Sequence, residues 1–229
     1  MQQTDADAVE TSPSPSVIAE NPWKALFSPA YRQQTTVALS MALALQCCGI
    51  TAVFMYSSSI FRDAGVSDGR VGGIITSLVN LAPSLVSGSL AARFGNRSLL
   101  IAGHCIMLTG AVGLTVALLT KVAALSIAFI ALHVAAFAVT LGSLAFVVAA
   151  DVFPDELRAN GGAITLFANW VGTLVIGVGY PYVADALGDL GFLPFIAAMA
   201  FFTLFMFKFL PETSGKTSDE IQALFRKTG

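Results

Sequence analysis

The sequence has little charge, few cysteines and no cluster of basic residues. Only 11% of its 229 residues are charged, against roughly 25% in a typical soluble domain. Its 12 basic and 14 acidic residues nearly balance, and no Lys/Arg cluster could release counterions from phosphates, which excludes a nucleic-acid partner. The three cysteines, Cys47, Cys48 and Cys105, lie in apolar runs without metal-ligand spacing. Neither a metal site nor a cofactor is therefore expected.

Apolar residues make up 55% of the chain, which excludes a disordered polypeptide. Six stretches contain no charged residue at all, and each approaches or exceeds the roughly 20 residues that a helix needs to cross a bilayer. Because a backbone in lipid must satisfy its own hydrogen bonds, each stretch predicts a helix. We expect an all-α membrane protein with six transmembrane spans, at residues 36–60, 72–92, 98–119, 123–149, 161–183 and 190–209.

Six crossings put both termini on one side of the membrane. Nine of the 12 basic residues fall on that side, so the positive-inside rule predicts that both termini are cytosolic. Residues 1–20 are polar and acidic and predict a disordered cytosolic tail. Residues 21–35 carry aromatic and basic side chains that suit a linker helix at the membrane surface. The bundle is expected at 36–210, and 211–229 predicts a cytosolic tail with a helix from about Ser218 to Arg226.

Several polar side chains lie within the predicted spans, where an unpartnered polar group costs free energy. A carboxamide offers two donors and two acceptor lone pairs, which suits a neutral ligand rich in hydroxyl groups. The same groups can instead join helices, in contacts worth about 0.6–2 kcal/mol. Both interpretations stay open for the polar residues of the first, second and fifth spans: Gln46, Thr51, Asn80, Asn169 and Thr173, with the indole of Trp170 beside them.

Charge is densest in two loops on the predicted cytosolic side. One contains Arg93 and Arg97, and the other runs from Asp151 to Arg158. Ion pairs between the two loops could latch the bundle weakly, since an exposed pair is worth about 0–1 kcal/mol; alternatively, the basic residues only fix topology. No Ser/His or Asp/Asp pair sits at paired mid-span positions, so we do not expect an enzyme. His104 and His133 are expected to be neutral packing residues rather than a proton relay.

Four segments resemble motifs of one family. Residues 211–221, PETSGKTSDEI, resemble its signature PETKG-(K/R)-T-x-(D/E)-E-I, and residues 93–97, RFGNR, resemble its loop R-x-G-R-R. Residues 151–158, DVFPDELR, resemble E-x-F-P-x-x-x-R. Residues 46–53, QCCGITAV, resemble the family stretch Q-Q-x-x-G-I-N-x-V, in which Leu45 stands at the first glutamine. Over residues 21–229 the chain resembles the C-terminal half of a sugar porter, the glucose-transporter-like branch of the major facilitator superfamily.

The resemblance implies a half-bundle of a twelve-span fold that transports a neutral sugar or polyol by alternating access. It places Gln46, Asn80, Asn169 and Trp170 at the sugar, while Thr51 and Phe146 stand where the family has asparagine and tryptophan. It assigns Arg97, Asp151 and Arg158, together with Arg93 of the same loop, to ion pairs of a cytosolic gate. The implied partner is a second six-span bundle, either another copy or a separate N-terminal half. The alternative is a non-transporting membrane protein: a sensor, an assembly partner or an inactive transporter fragment.

Overall fold

The computed structural model describes residues 21–63 and 69–228, and within those ranges it contains helices and no strand. The predicted tail, residues 1–20, lies outside the described residues. The eleven α-helices of the described part are α1 (Pro22–Leu26), α2 (Arg32–Cys47), α3 (Ile50–Asp63), α4 (Gly69–Ser84), α5 (Ser87–Phe94), α6 (Asn96–Thr120), α7 (Ala123–Val139), α8 (Leu141–Asp151), α9 (Asp155–Leu187), α10 (Leu193–Phe209) and α11 (Ser218–Thr228).

Each of the six predicted spans coincides with one helix or with two consecutive helices. Four helical stretches are long and apolar enough to cross a membrane: Arg32–Met55, Asn96–Thr120, Ala123–Asp151 and Asp155–Leu190. The pair α4–α5 becomes a fifth if its 45° bend is counted within one span. Helix α10 is apolar but has only 17 residues, the lower end of the usual range for a span. The all-α half-bundle is therefore confirmed, with its sixth segment short.

The first predicted span is interrupted between α2 and α3. Gly49 adopts a φ of +83° there, a left-handed conformation that favours glycine. A Cβ at this position would also lie 2.9 Å from the ring of Phe195 in α10. The second span is bent instead, since Pro83 lies in the last turn of α4 and cannot donate a backbone hydrogen bond.

The helices differ in how deeply they are buried. Helix α2 packs against α8, α9 and α10, and 72% of the most apolar window of Arg32–Met55 is buried. The corresponding figure for Asp155–Leu190, which contains α9, is 17%. Helix α2 is thus the centre of the bundle, and α9 lies at its surface with large apolar side chains exposed, among them Phe167, Trp170, Leu174, Val178 and Tyr182.

The predicted linker helix is shorter than expected. Helix α1 covers only Pro22–Leu26, and the Asn21 side chain caps it by accepting a hydrogen bond from the Lys24 backbone N–H. Arg32 already belongs to α2, so residues 21–35 divide between two helices. Helix α11 occupies the region after α10 where the sequence predicts a helix.

Candidate functional site

A group of neutral polar side chains joins α2, α3 and α9 inside the bundle. Gln46 is 3% exposed, and its Nε2 donates to Asn169 Oδ1 at 2.7 Å and to Thr173 Oγ1 at 2.9 Å. Thr51 Oγ1 donates to Gln46 Oε1 at 2.6 Å. We call Gln46, Thr51, Asn169 and Thr173 the Gln46 cluster.

Local sequence explains why these four side chains meet. Asn169 and Thr173 are four residues apart and so share one face of α9. Between them lies Gly172, where a Cβ would stand 2.7 Å from Gln46 Cγ; its absence lets α2 approach. Thr51 reaches back to Gln46 across the break at Gly49. The cluster therefore depends on two glycines as much as on its polar residues.

The hydrogen bonds of the cluster leave groups available for a ligand. Both Gln46 Nε2 protons are used, and the Thr173 hydroxyl donates to the Asn169 carbonyl oxygen at 3.0 Å. Among the described residues, none accepts a hydrogen bond from Asn169 Nδ2. Since a carboxamide nitrogen carries two protons, the cluster retains donors that can serve a hydroxyl group.

A shallow cavity of about 330 Å³ adjoins the cluster, a volume at the lower end of the range for small-molecule sites. Thr173 belongs to both the cluster and the cavity wall, which is otherwise formed by Met55, Trp170, Leu174, Gly177 and Val178. Trp170 is 63% exposed. The neighbouring residues Asn169 and Trp170 therefore point to different places, one into the cluster and one into the cavity wall.

The other two predicted site residues lie apart from the cluster. Asn80 is half-buried on α4, which packs on α3 and α7, and among the described residues it has no hydrogen bond to the cluster. Phe146 on α8 packs against the apolar core and does not line the cavity. Thr173, which the sequence places among the polar residues of the spans but the resemblance does not assign to the sugar, belongs to the cluster. The four-residue spacing from Asn169 was the available signal.

The predicted ion pairs between the two charged loops are not formed among the described residues. Arg158 Nη2 contacts Asp155 Oδ1 at 2.8 Å, because Asp155 lies one turn before it on α9. Asp151 forms no ion pair among the described residues. Arg97 Nη2 donates to the carbonyl oxygen of Phe207 at 2.7 Å. Arg93 lies over the ring of Phe94, 5.3 Å from its centroid.

A carboxylate that the sequence analysis did not single out organises this end of the bundle. Glu212 Oε1 accepts from the backbone N–H groups of Asn96 and Ser214, each at 2.9 Å, and its Oε2 accepts from that of Arg97 at 3.1 Å. We call Glu212 and these three N–H groups the Glu212 cluster. It caps α6, which has no acidic residue in its own first turn, and an anion there is stabilised by the helix dipole.

Gly95 makes room for this cap. Its φ is +84°, and a Cβ there would collide with the Glu212 carboxylate. Helix α6 follows a glycine and has no acidic residue in its first turn. These two features indicate that its first backbone N–H groups need an acceptor from elsewhere in the chain. The motif at residues 211–221 supplied the glutamate, but nothing in the sequence paired it with Asn96.

The C-terminal segment after α10 ties several elements together at the same end. Asn96 Nδ2 donates to Thr213 Oγ1 at 2.9 Å. Gln222 of α11 accepts from Gln34 Nε2 at 3.1 Å and donates to the Val152 carbonyl oxygen at 2.9 Å. The beginnings of α2 and α6 and the junction between α8 and α9 are therefore all linked to the last part of the chain.

Comparison with known proteins gives one consistent family. The family model described as "Sugar (and other) transporter" matches residues 2–225. Facilitated glucose transporter member 4 of Mus musculus is 38% identical over 208 residues, which cover 89% of this chain and 41% of that protein. Member 2 of Rattus norvegicus is 37% identical over 204 residues, covering 87% and 39%. The chain thus spans about two fifths of the length of these relatives.

Solved structures with a similar fold belong to a xylose transporter. The proton:xylose symporter XylE, bound to 6-bromo-6-deoxy-D-glucose, superposes with a TM-score of 0.74 at 26% identity, covering 83% of this chain and 42% of that one. The inward-open form of XylE from E. coli gives a TM-score of 0.76 at 23% identity, covering 97% and 47%. At the latter identity the similarity shows the fold alone.

Proposed function

The chain belongs to the family of sugar and other transporters, and from that membership we propose that it forms one half of a transporter that moves a sugar or similar polyol across a membrane by alternating access. Membership makes the chain an integral, multi-pass membrane protein. It also agrees with the expectation that the chain is not an enzyme, because the family consists of transporters.

The Gln46 cluster is the observation that supports a neutral, hydroxyl-rich substrate. It contains amides and hydroxyls but no charged group, and it borders a cavity with an indole in its wall. A charged substrate would meet no counter-charge there. We propose that Gln46, Thr51, Asn169 and Trp170 contact the substrate. Asn80 is assigned to the site as a polar residue of the second span and by the family resemblance, and Phe146 by the resemblance alone.

A second six-span bundle is proposed as the partner. The chain spans 41% of the mouse relative, and α9 exposes large apolar residues next to the cavity. In the major facilitator fold the substrate lies between two halves that rock against each other. The partner is either a second copy of this chain or an N-terminal half of the family. The basic residues support the orientation with both termini in the cytosol.

Sugar uptake into proteoliposomes tests the proposal. The chain is reconstituted alone and with a candidate N-terminal half, and entry of labelled hexoses and pentoses is measured. Gln46→Ala and Asn169→Ala each remove buried hydrogen bonds, and we expect uptake to fall about 10-fold or more. Asn160→Ala, on the same helix but outside the cluster, is the matched control and should leave uptake unchanged. If Gln46→Ala and Asn169→Ala took up sugar as fast as Asn160→Ala and the unaltered chain, the proposed site would be refuted.

The alternative is a non-transporting membrane protein. Leu45, Thr51 and Phe146 favour it, since each departs from the residue that the resembled family carries at that position. The same reconstitution separates the two functions. A chain that carries no labelled sugar, alone or with any six-span partner, and yet folds as a helical bundle would be assigned to the second.

A further inference from the structure

A second cavity lies away from the proposed sugar site, at the end of the bundle that holds the Glu212 cluster. It has a volume of about 630 Å³ and lies between the first turns of α2, the last turn of α10 and α11. Four basic side chains line it, those of Arg32, Arg97, Lys208 and Lys216. We call it the basic cavity.

The positive charge of the basic cavity is not balanced within the described structure. Glu212 is its one acidic lining residue, and the carboxylate oxygens of Glu212 already accept three backbone N–H groups. The only ion pair among the described residues joins Arg158 to Asp155, outside the cavity. The lining thus carries four positive charges against one negative charge, which favours an anionic occupant.

Arg97 supplies a donor without an acceptor. Its Nη2 donates to the Phe207 carbonyl oxygen, but its Nε is buried and has no hydrogen-bond partner. A buried polar atom without a partner is costly, and a guanidinium group binds phosphate oxygens particularly well. Because Arg97 also lines the cavity, its guanidinium group favours a phosphate-bearing occupant.

Most of the remaining wall is apolar, with Gln33 and Thr36 as its uncharged polar residues. Phe205, Phe209 and Leu210 of the α10 end and Leu224 of α11 line the cavity. The neighbouring surface of α10 exposes Phe201, Leu204 and Phe207, side chains that suit contact with lipid in a membrane-spanning helix. A soluble anion would leave this apolar wall in contact with water, whereas an acyl chain would cover it.

We propose that the basic cavity binds an anionic phospholipid. The phosphate lies among Arg97, Lys208 and Lys216, with Arg32 on the other side, and one acyl chain runs along Phe205 and Phe209 of α10. Basic cavities at helix ends are suited to phospholipid headgroups. The inference requires a membrane but not transport, so it can hold or fail independently of the proposed sugar site.

Lipid retention by the purified full chain tests the proposal. The chain in detergent is mixed with phosphatidic acid or with phosphatidylcholine of the same acyl chains, and bound lipid is counted by native mass spectrometry. The double variant Lys208→Gln/Lys216→Gln removes two cavity charges. We expect it to bind phosphatidic acid roughly 30-fold more weakly, from about 5-fold for each basic residue at an anionic surface.

A control with equal charge separates the cavity from general electrostatics. Lys24→Gln/Arg226→Gln removes two exposed basic residues at the same end and outside the cavity, and it should bind phosphatidic acid as the unaltered chain does. Lys208→Arg/Lys216→Arg should also retain binding, which shows that charge rather than folding is responsible. Equal losses in the two glutamine double variants would overturn the proposal.

Inorganic phosphate and glycerol 3-phosphate distinguish the two sources of a phosphate group. If either displaces phosphatidic acid at an equal concentration, the cavity is a site for a soluble anion and the phospholipid proposal is wrong. Displacement that needs at least a 100-fold excess supports a contribution from the acyl chain. Equal retention of phosphatidylcholine and phosphatidic acid by the unaltered chain would also overturn it.

Discussion

The Gln46 cluster and the Glu212 cluster hold different parts of the bundle in different ways. The first joins neutral side chains of α2, α3 and α9 beside a cavity. The second joins a carboxylate to backbone N–H groups at the beginning of α6. Hydrogen bonds between neutral groups of membrane helices average about 0.6 kcal/mol, whereas those to charged groups contribute about 1.5–3 kcal/mol.

This difference indicates a division of tasks between the two regions. A ligand rich in hydroxyl groups can replace hydrogen bonds of the Gln46 cluster at little cost in free energy, because it offers donors and acceptors similar to those of the protein's amides and hydroxyls. A carboxylate that caps a helix cannot be exchanged without exposing several backbone donors. We therefore expect the Glu212 cluster to determine stability and the Gln46 cluster to determine binding.

The largest expected effect is that of Glu212→Ala. It removes the acceptor of three backbone N–H groups and the negative charge at the beginning of α6. We expect the free energy of unfolding to fall by about 3 kcal/mol, measured by chemical unfolding in detergent. Asp219→Asn, exposed on α11, is the control and should change it by less than about 1 kcal/mol. If both variants changed the free energy of unfolding only slightly, the Glu212 cluster would not determine stability, and the proposed difference between the two clusters would be wrong.

Gly172→Ala should come next, with a loss of about 2 kcal/mol, as is usual for overpacking. The added methyl group would lie 2.7 Å from Gln46 Cγ and push α2 away from α9. Gly179→Ala on the same helix is the matched control, because no atom lies within 4 Å of the Cβ position there. It should be neutral or stabilise by up to about 1 kcal/mol. If Gly172→Ala and Gly179→Ala had the same free energy of unfolding, the close approach of α2 and α9 would be contradicted.

Gln46→Leu should lower the free energy of unfolding by only about 1 kcal/mol while sugar binding falls at least about 10-fold. The reason is that leucine fits the space but offers the ligand no hydrogen bond. Unfolding and binding are measured on the same preparation. A loss of stability as large as that of Glu212→Ala, with binding intact, would make the cluster a structural contact and not a site.

The smallest effect is expected for Arg158→Gln. Its ion pair with Asp155 is exposed, with 42% and 71% of the two side chains accessible, and exposed pairs contribute about 0–1 kcal/mol. Unfolding of the single variants and of Arg158→Gln/Asp155→Asn should give a coupling energy in that range. Coupling of Arg158 with Asp151 instead of Asp155 would restore the gate predicted from the sequence.

The sequence predicted the Gln46 cluster better than the Glu212 cluster for a physical reason. Polar residues stand out in long apolar stretches, and Gln46 and Asn169 could be recognised because burial makes them costly without partners. Asn80 met the same criterion but lies on α4, and no sequence pattern indicates which helices are neighbours. The assignment of Asn80 to the site therefore stays a prediction.

The role of Glu212 was not predicted because carboxylates are common in polar tails and this one does not stand out from its neighbours. Its partners are backbone N–H groups that have no sequence signature of their own, and two of the three lie 115 and 116 residues away along the chain. For the same reason Arg97 was expected to form an ion pair, although among the described residues it donates to a backbone carbonyl oxygen. Contacts with the backbone are the ones that charge patterns do not reveal.

The separation of Asn96 and Glu212 along the chain also sets an order of events during synthesis. A ribosome adds roughly 5–20 residues per second, so the acceptor for the first amides of α6 is made roughly 6–23 s after that helix. Until then water must hydrate those amides. The nascent α6 consequently lacks this cap until Glu212 has been added, so translation sets the time at which the helix acquires its acceptor.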